Sequence, residues 1–121
     1  MNIEKRNLLA NLPGELPQEL FEPLLQRRGL QLERILSRGH SSEAGHWYDQ
    51  QRDEWVMLLS GGATLEFDDG DATTLVPGDA LLLPARCRHR VAWTDPDCVS
   101  VWLALHVDPD ERGEGDSDDE E

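Results

Sequence analysis

The stretch GDALLLPARCRHR, residues 78–90, decides how this chain is read. Its first half, Ala80-Leu81-Leu82-Leu83-Pro84, is a short apolar run closed by proline, the pattern of a strand covered on both faces. Its second half sets His89 between Arg88 and Arg90. In a strand beginning at His89, side chains alternate, so His89, Val91 and Trp93 share one face while Arg90, Ala92 and Thr94 share the other. The first set suits a lined cavity. His89 is therefore predicted to point inward, with its two arginine neighbours directed away.

Outward from this stretch the texture is uniform. From Leu30 onward, short apolar and β-branched runs alternate with Gly, Asp and Pro punctuation every eight to twelve residues or so, the signature of an all-β barrel or sandwich. Strands are expected at Leu30–Leu36, Ala44–Tyr48, Glu54–Leu59, Ala63–Phe67, Ala72–Leu75, Ala80–Leu83, His89–Thr94 and Val99–Val107. Turns are expected at Gly61-Gly62, Asp68-Asp69-Gly70-Asp71, Pro77-Gly78-Asp79 and Asp95-Pro96-Asp97, where Gly and Asp accept positive φ. Ahead of the barrel, Leu20, Phe21, Leu24 and Leu25 form a short apolar face, so a helical turn or two is expected between Pro17 and Gln26. The expected organisation is a turn-and-helix segment over 1–29, a barrel over 30–107 and a disordered acidic tail over 108–121.

Length and charge narrow the function classes. At 121 residues the chain is one domain. Its formal net charge is −14, and nine of its 25 acidic residues fall in the last fifteen, VDPDERGEGDSDDEE, beside one arginine. A tail of that composition has too little apolar surface to offset the entropy of ordering it. No basic stripe is present to neutralise phosphates, which argues against nucleic acid and anionic membranes. No apolar run approaches a membrane span, and MNIEKRNLLANLPGELP lacks the order of a signal peptide, so a cytoplasmic location is expected. Cys87 and Cys98 have no metal or redox spacing and read as free thiols. Trp55-Val56-Met57-Leu58-Leu59 and Ala80–Leu83 are apolar on both faces, so something must cover their outer side. The N-terminal leucines or a second copy could do so, and a homodimer is the expectation.

At the motif level the chain resembles the cupins, and in particular the small single-domain members. The second cupin motif has a glycine, five residues, Pro-x-Gly, two residues, a histidine, three residues and an asparagine. Gly78, Pro84 and His89 stand at those spacings, with Arg86 in place of the second glycine and Trp93 in place of the asparagine. The first motif has His-x-His, three or four residues, a glutamate, six residues and a glycine. Glu54 and Gly61 match its second half, but the paired histidines become Tyr48 and Gln50, or Trp47 and Asp49. The resemblance spans about Leu30 to Val107. It implies a double-stranded β-helix, or jelly-roll barrel, enclosing a small-molecule ligand. Its activities range over dioxygenases, isomerases, epimerases, decarboxylases, storage proteins and ligand sensors.

The usual cupin ligand set, three histidines and a glutamate, shrinks here to Glu54, His89 and the amide of Gln50. One reading places a divalent Fe, Mn, Ni or Zn ion among these three, with His46 or Tyr48 recruited. The other pairs Glu54 with His89, or with Tyr48 and Gln50, as a satisfied polar cluster in a metal-free barrel. Strand parity puts Glu54, Val56 and Leu58 on one wall, and an extended 46–50 segment puts His46, Tyr48 and Gln50 on one face. His106 points inward if Trp102 does. The expected catalytic groups are Glu54, His89 and Tyr48, and the expected pocket is His46, Val56, Leu58, Val91, Trp93 and His106. Metal-assisted turnover, metal-free acid–base chemistry and ligand sensing without turnover all remain open at this point.

Overall fold

A computed structural model describes residues 1–109; apart from its first two residues, the acidic tail expected to be disordered lies outside the described residues. The strands are β1 (Leu20–Arg27), β2 (Leu30–Ser37), β3 (Asp53–Ser60), β4 (Ala63–Phe67), β5 (Ala72–Leu75), β6 (Ala80–Leu83), β7 (His89–Thr94) and β8 (Ser100–Val107). They form two antiparallel sheets, one ordered β1-β2-β8-β3-β6 and the other β5-β4-β7. Residues from both sheets, including Val56, Leu58, Leu65, Leu75, Leu83 and Trp102, meet in one buried core. Burying each such aliphatic side chain contributes about 1.5–3 kcal/mol. The architecture is the expected all-β barrel of two packed sheets.

Local sequence explains the connections. Arg28-Gly29 closes the β1–β2 hairpin, with Gly29 at φ +73°. Asp69 caps the β4–β5 turn by accepting the Asp71 N–H at 2.8 Å, while Gly70 takes φ +97°. Gly61, at φ +89°, carries the chain from β3 in one sheet to β4 in the other.

Three expectations are corrected. Residues 20–27 are a strand, and no helix occurs among the described residues. Leu20, Phe21, Leu24 and Leu25 mimic a helical face, but Leu20 pairs with Leu36, Phe21 with Ile35 and Leu25 with Leu32. A bulge between Pro23 and Leu25 and the edge position of β1 let Pro23 sit in the sheet without an N–H to give. The segment 44–48 is likewise no strand: Ala44-Gly45 turns, and only Tyr48 bridges to His89. It is nonetheless tied along the free side of β7. The Ser42 N–H donates to the Val91 carbonyl (2.8 Å), Tyr48 and His89 exchange main-chain bonds (2.7 and 3.1 Å), and the Arg86 N–H donates to the Gln50 carbonyl (2.7 Å).

The third correction concerns Trp93. On β7, Val91 pairs with Leu65 and Trp93 with Thr64, so Ala92 is an extra residue that reverses the alternation. Thr94 turns inward at 1 % exposure, and Trp93 is left 44 % exposed.

The outer face of the larger sheet is covered in part. Arg34, 5 % exposed, donates to the Leu8 carbonyl (2.8 Å) and to Glu22 (2.7 Å), pinning the N-terminal segment against β2. On the β3–β6 side, Trp55 and Leu82 stay open, at 37 % and 58 % exposure.

Candidate functional site

Between the sheets lies a cavity of about 120 Å³, most of its wall apolar. Parity places its polar end. On β3, Glu54 and Val56 face inward, and Glu54 pairs across the sheet with His106 of β8 and Leu83 of β6. Val56, Leu65, Leu83, Val91, Ile35 and Trp102 form the apolar body of the cavity. Glu33, Gln50, Tyr48 and His106 join Glu54 at the polar end, and a shallow depression through Gln31, Gln51 and Arg52 shares Glu33, Gln50 and His106 with it.

Two acid–imidazole pairs stand here. The first is His106 with Glu33: the ring Nε2–H donates to Oε1 at 3.0 Å. This bond raises the His106 pKa above its ordinary 6.5, burial opposes the shift, and the Glu54 and Glu33 charges reinforce it. The second is His89 with Glu54, whose Nε2 and Oε1 stand 3.8 Å apart, too far for a hydrogen bond. His89 Nδ1 donates to the Cys87 carbonyl at 2.9 Å, so in the neutral ring Nε2 carries the lone pair facing Glu54.

Glu54 is the unusual member. It is buried, and its Oε1 has no hydrogen-bond partner. Burial pushes its carboxyl above the ordinary 4.5; His106, His89 and the Gln50 amide oppose the shift and Glu33 adds to it. The carboxyl thus holds its proton to higher pH than an ordinary glutamate does. Burial also raises the Tyr48 phenol, with Glu19 and Glu54 reinforcing the effect, so Tyr48 is a hydrogen-bond donor throughout the neutral range. Its ring lies 5.5 Å from that of His89. A second unpartnered buried atom is the indole Nε1 of Trp102.

Of the residues singled out in the sequence, the structure gathers Tyr48, Gln50, Glu54, Val56, Val91 and His106 on the cavity wall. His89 is buried behind that wall and reaches it through Glu54. Leu58 lies in the core beyond the wall. His46 is exposed in the loop and meets the edge of Tyr48 at 5.6 Å between ring centres. Trp93, turned outward by the β7 bulge, is absent from the pocket. Sequence reasoning misses Glu33, Glu19 and Phe21. The alternation of Gln31, Glu33 and Ile35 against Leu30, Leu32 and Leu36 is a signal for Glu33, but its partner lies 73 positions away.

The fold is a barrel of two antiparallel sheets around a cavity, and the Cupin domain model (Cupin_2) matches residues 33–106. The chain belongs to the cupin family. Among solved structures it is similar to a protein of Ralstonia eutropha JMP134 named a "putative mannose-6-phosphate isomerase". That match has 49 % identity, a TM-score of 0.85, and covers 88 % of this chain and all of the other. It is also similar to a cupin superfamily protein of Desulfitobacterium hafniense DCB-2 (23 % identity, TM-score 0.72, 89 % and 94 % covered). A third likeness is to the Cupin_2 domain of an XRE family transcriptional regulator of Enterobacter cloacae (18 %, TM-score 0.61, 76 % and 98 %). The last two speak for the fold alone. No curated protein matches the chain.

Cupins often bind a metal, and the donors expected here are Gln50, Glu54 and His89. Among the described residues no three His, Cys, Asp or Glu side chains converge on one point. His106 has committed Nε2 to Glu33. One imidazole, one carboxyl and one amide fall short of the three or four strong donors that a resident divalent ion takes. Among the described residues no helix is long and apolar enough to cross a membrane.

Proposed function

We propose that the chain is a small-molecule-binding cupin that holds a compact, largely apolar ligand with one polar group seated at Glu54. The observation that carries this is the joining of an apolar cavity to an unpartnered buried carboxyl oxygen. Leaving a buried polar group unsatisfied costs about 1–3 kcal/mol, a cost that a ligand's polar group removes on binding. At about 120 Å³ the cavity is smaller than one of about 150 Å³, which accommodates benzene, so it suits a molecule of benzene size or less. The polar end can orient such a ligand through Tyr48 and Gln50 and share a proton with it through the Glu54–His89 pair.

The activity attached to the Ralstonia protein is not the reading we favour. A sugar phosphate brings a dianion, yet the cavity wall has three glutamates and no lysine or arginine.

The test is thermal and NMR screening of full-length protein against neutral fragments of up to about six heavy atoms. A ligand at a hundred times its Kd stabilises the protein by about 2.7 kcal/mol. Hits should shift the Trp102 indole resonance and vanish in Val56→Phe, which fills the cavity from its wall. If hits persist unchanged in a folded Val56→Phe variant, binding lies elsewhere and the reading fails.

A further inference from the structure

We propose that the cavity prefers small organic cations, specifically a primary ammonium carried on a short branched hydrocarbon. This deepens the binding reading above and rests on it. The first observation is the charge of the wall. Glu19, Glu33 and Glu54 line it, and its one basic side chain, His106, is already bonded to Glu33. Arg52 lines the adjoining depression, but its Nε is held by Asp108 at 2.8 Å.

The second observation is independent of that count. Glu54, with a side chain only 10 % exposed, keeps Oε1 on the polar end with nothing to accept from. An ammonium brings three donors to this point, where an alcohol brings one and a carboxylate none. A bond from a charged donor to a carboxylate is about twice as strong as a neutral one. The ammonium would favour the ionised form of Glu54, which burial alone disfavours. Phe21, Tyr48 and Trp102 stand on the same wall, and aromatic rings attract cations over their faces. The hydrocarbon part has Val56, Leu65, Leu83 and Val91 to pack against. The cation needs nothing from the Trp102 indole N–H, which remains free for an oxygen elsewhere on the molecule.

Size sets the probes. Isobutylamine, isobutanol and isobutyrate have one hydrocarbon shape and three charges, and each is small for about 120 Å³. The experiment titrates each into isotope-labelled full-length protein near neutral pH and follows the Val56 methyl and Trp102 indole signals. Following these positions excludes ion-atmosphere binding to the acidic surface. The amine should bind about tenfold tighter than the alcohol, and isobutyrate more weakly than either. In Glu54→Gln, amine and alcohol should come within about twofold of each other, while the alcohol's own affinity is nearly unchanged.

Equal binding of amine and alcohol to wild type overturns the cation preference and leaves the binding reading standing. Tightest binding by isobutyrate overturns it as well. If none of the three moves the cavity signals, the binding reading itself falls.

Discussion

Two glycines share a backbone conformation and differ in their surroundings, which makes Gly61→Ala and Gly70→Ala an informative pair. Both sit at positive φ, +89° and +97°. For alanine that conformation costs about 1 kcal/mol, and at Gly70 nothing else opposes a methyl group, since no atom lies within 4 Å of it. At Gly61 the new Cβ would meet Ser100: its Oγ first, its Cα at 2.6 Å and its Cβ at 2.7 Å. Ser100 is fully buried and its hydroxyl bonds both the N–H and the carbonyl of Gly62, each at 3.1 Å. Rotating that hydroxyl away forfeits about 1 kcal/mol per bond. The backbone of Ser100 can retreat only if β8 moves, an overpacking cost of about 1–3 kcal/mol. Gly61→Ala should therefore cost about 4 kcal/mol in all, against about 1 for Gly70→Ala. At about 4 °C per kcal/mol for a domain of this size, melting temperatures should fall by about 16 and 4 °C. Urea titration checks the same ordering with unchanged m-values. Equal losses for the two variants would refute the close approach of Gly61 to β8.

Other outcomes follow from the site and its frame. Glu54 and His106 both have folded pKa values raised above their ordinary 4.5 and 6.5, so each contributes stability that is complete below those values and lost as pH rises through the folded pKa. Melting temperature should fall as pH rises past about 4.5 for Glu54 and past about 6.5 for His106, and Glu54→Gln, which mimics the protonated acid, should flatten the earlier part of that fall; an unaltered slope removes Glu54 from the account. Arg86 holds φ +70° where the cupin motif has glycine, and its exposed pair with Asp49 (3.2 Å) adds little, so Arg86→Gly should stabilise by about 0.5 kcal/mol in denaturant titration. A measured loss there would mean the pair outweighs the backbone strain. Two copies of the chain are expected to pair through Trp55 and Leu82; light scattering should show a dimer that Leu82→Glu converts to monomer, and a monomeric wild type would end that expectation.

Most of the barrel is legible in the sequence because its strands alternate and its turns are written in Gly, Asp and Pro. Seven of the eight strands fall where periodicity puts them, with ends shifted by a residue or so. The misread parts share a cause. β1 looks helical in sequence since one bulge at Pro23–Leu25 turns strand spacing into something close to helical spacing. Trp93 reads as inward because parity runs on until a bulge breaks it, and Ala92 has nothing in its local sequence that announces one. Glu54 and His89 can be found from motif spacing, and the structure does bring them within 3.8 Å. Glu33 cannot, because its meeting with His106 depends on β2 pairing with β8, strands from opposite ends of the barrel sequence.

The stitching of residues 42–50 onto β7 has a consequence for how such a barrel can change its ligand. Tyr48 and Gln50 are delivered to the cavity by bonds from main chain to main chain, at Tyr48–His89 and Gln50–Arg86, which are indifferent to side-chain identity. Substitution at these two positions can therefore rewrite recognition while the scaffold keeps its shape. The segment serves as an exchangeable bit in a fixed holder.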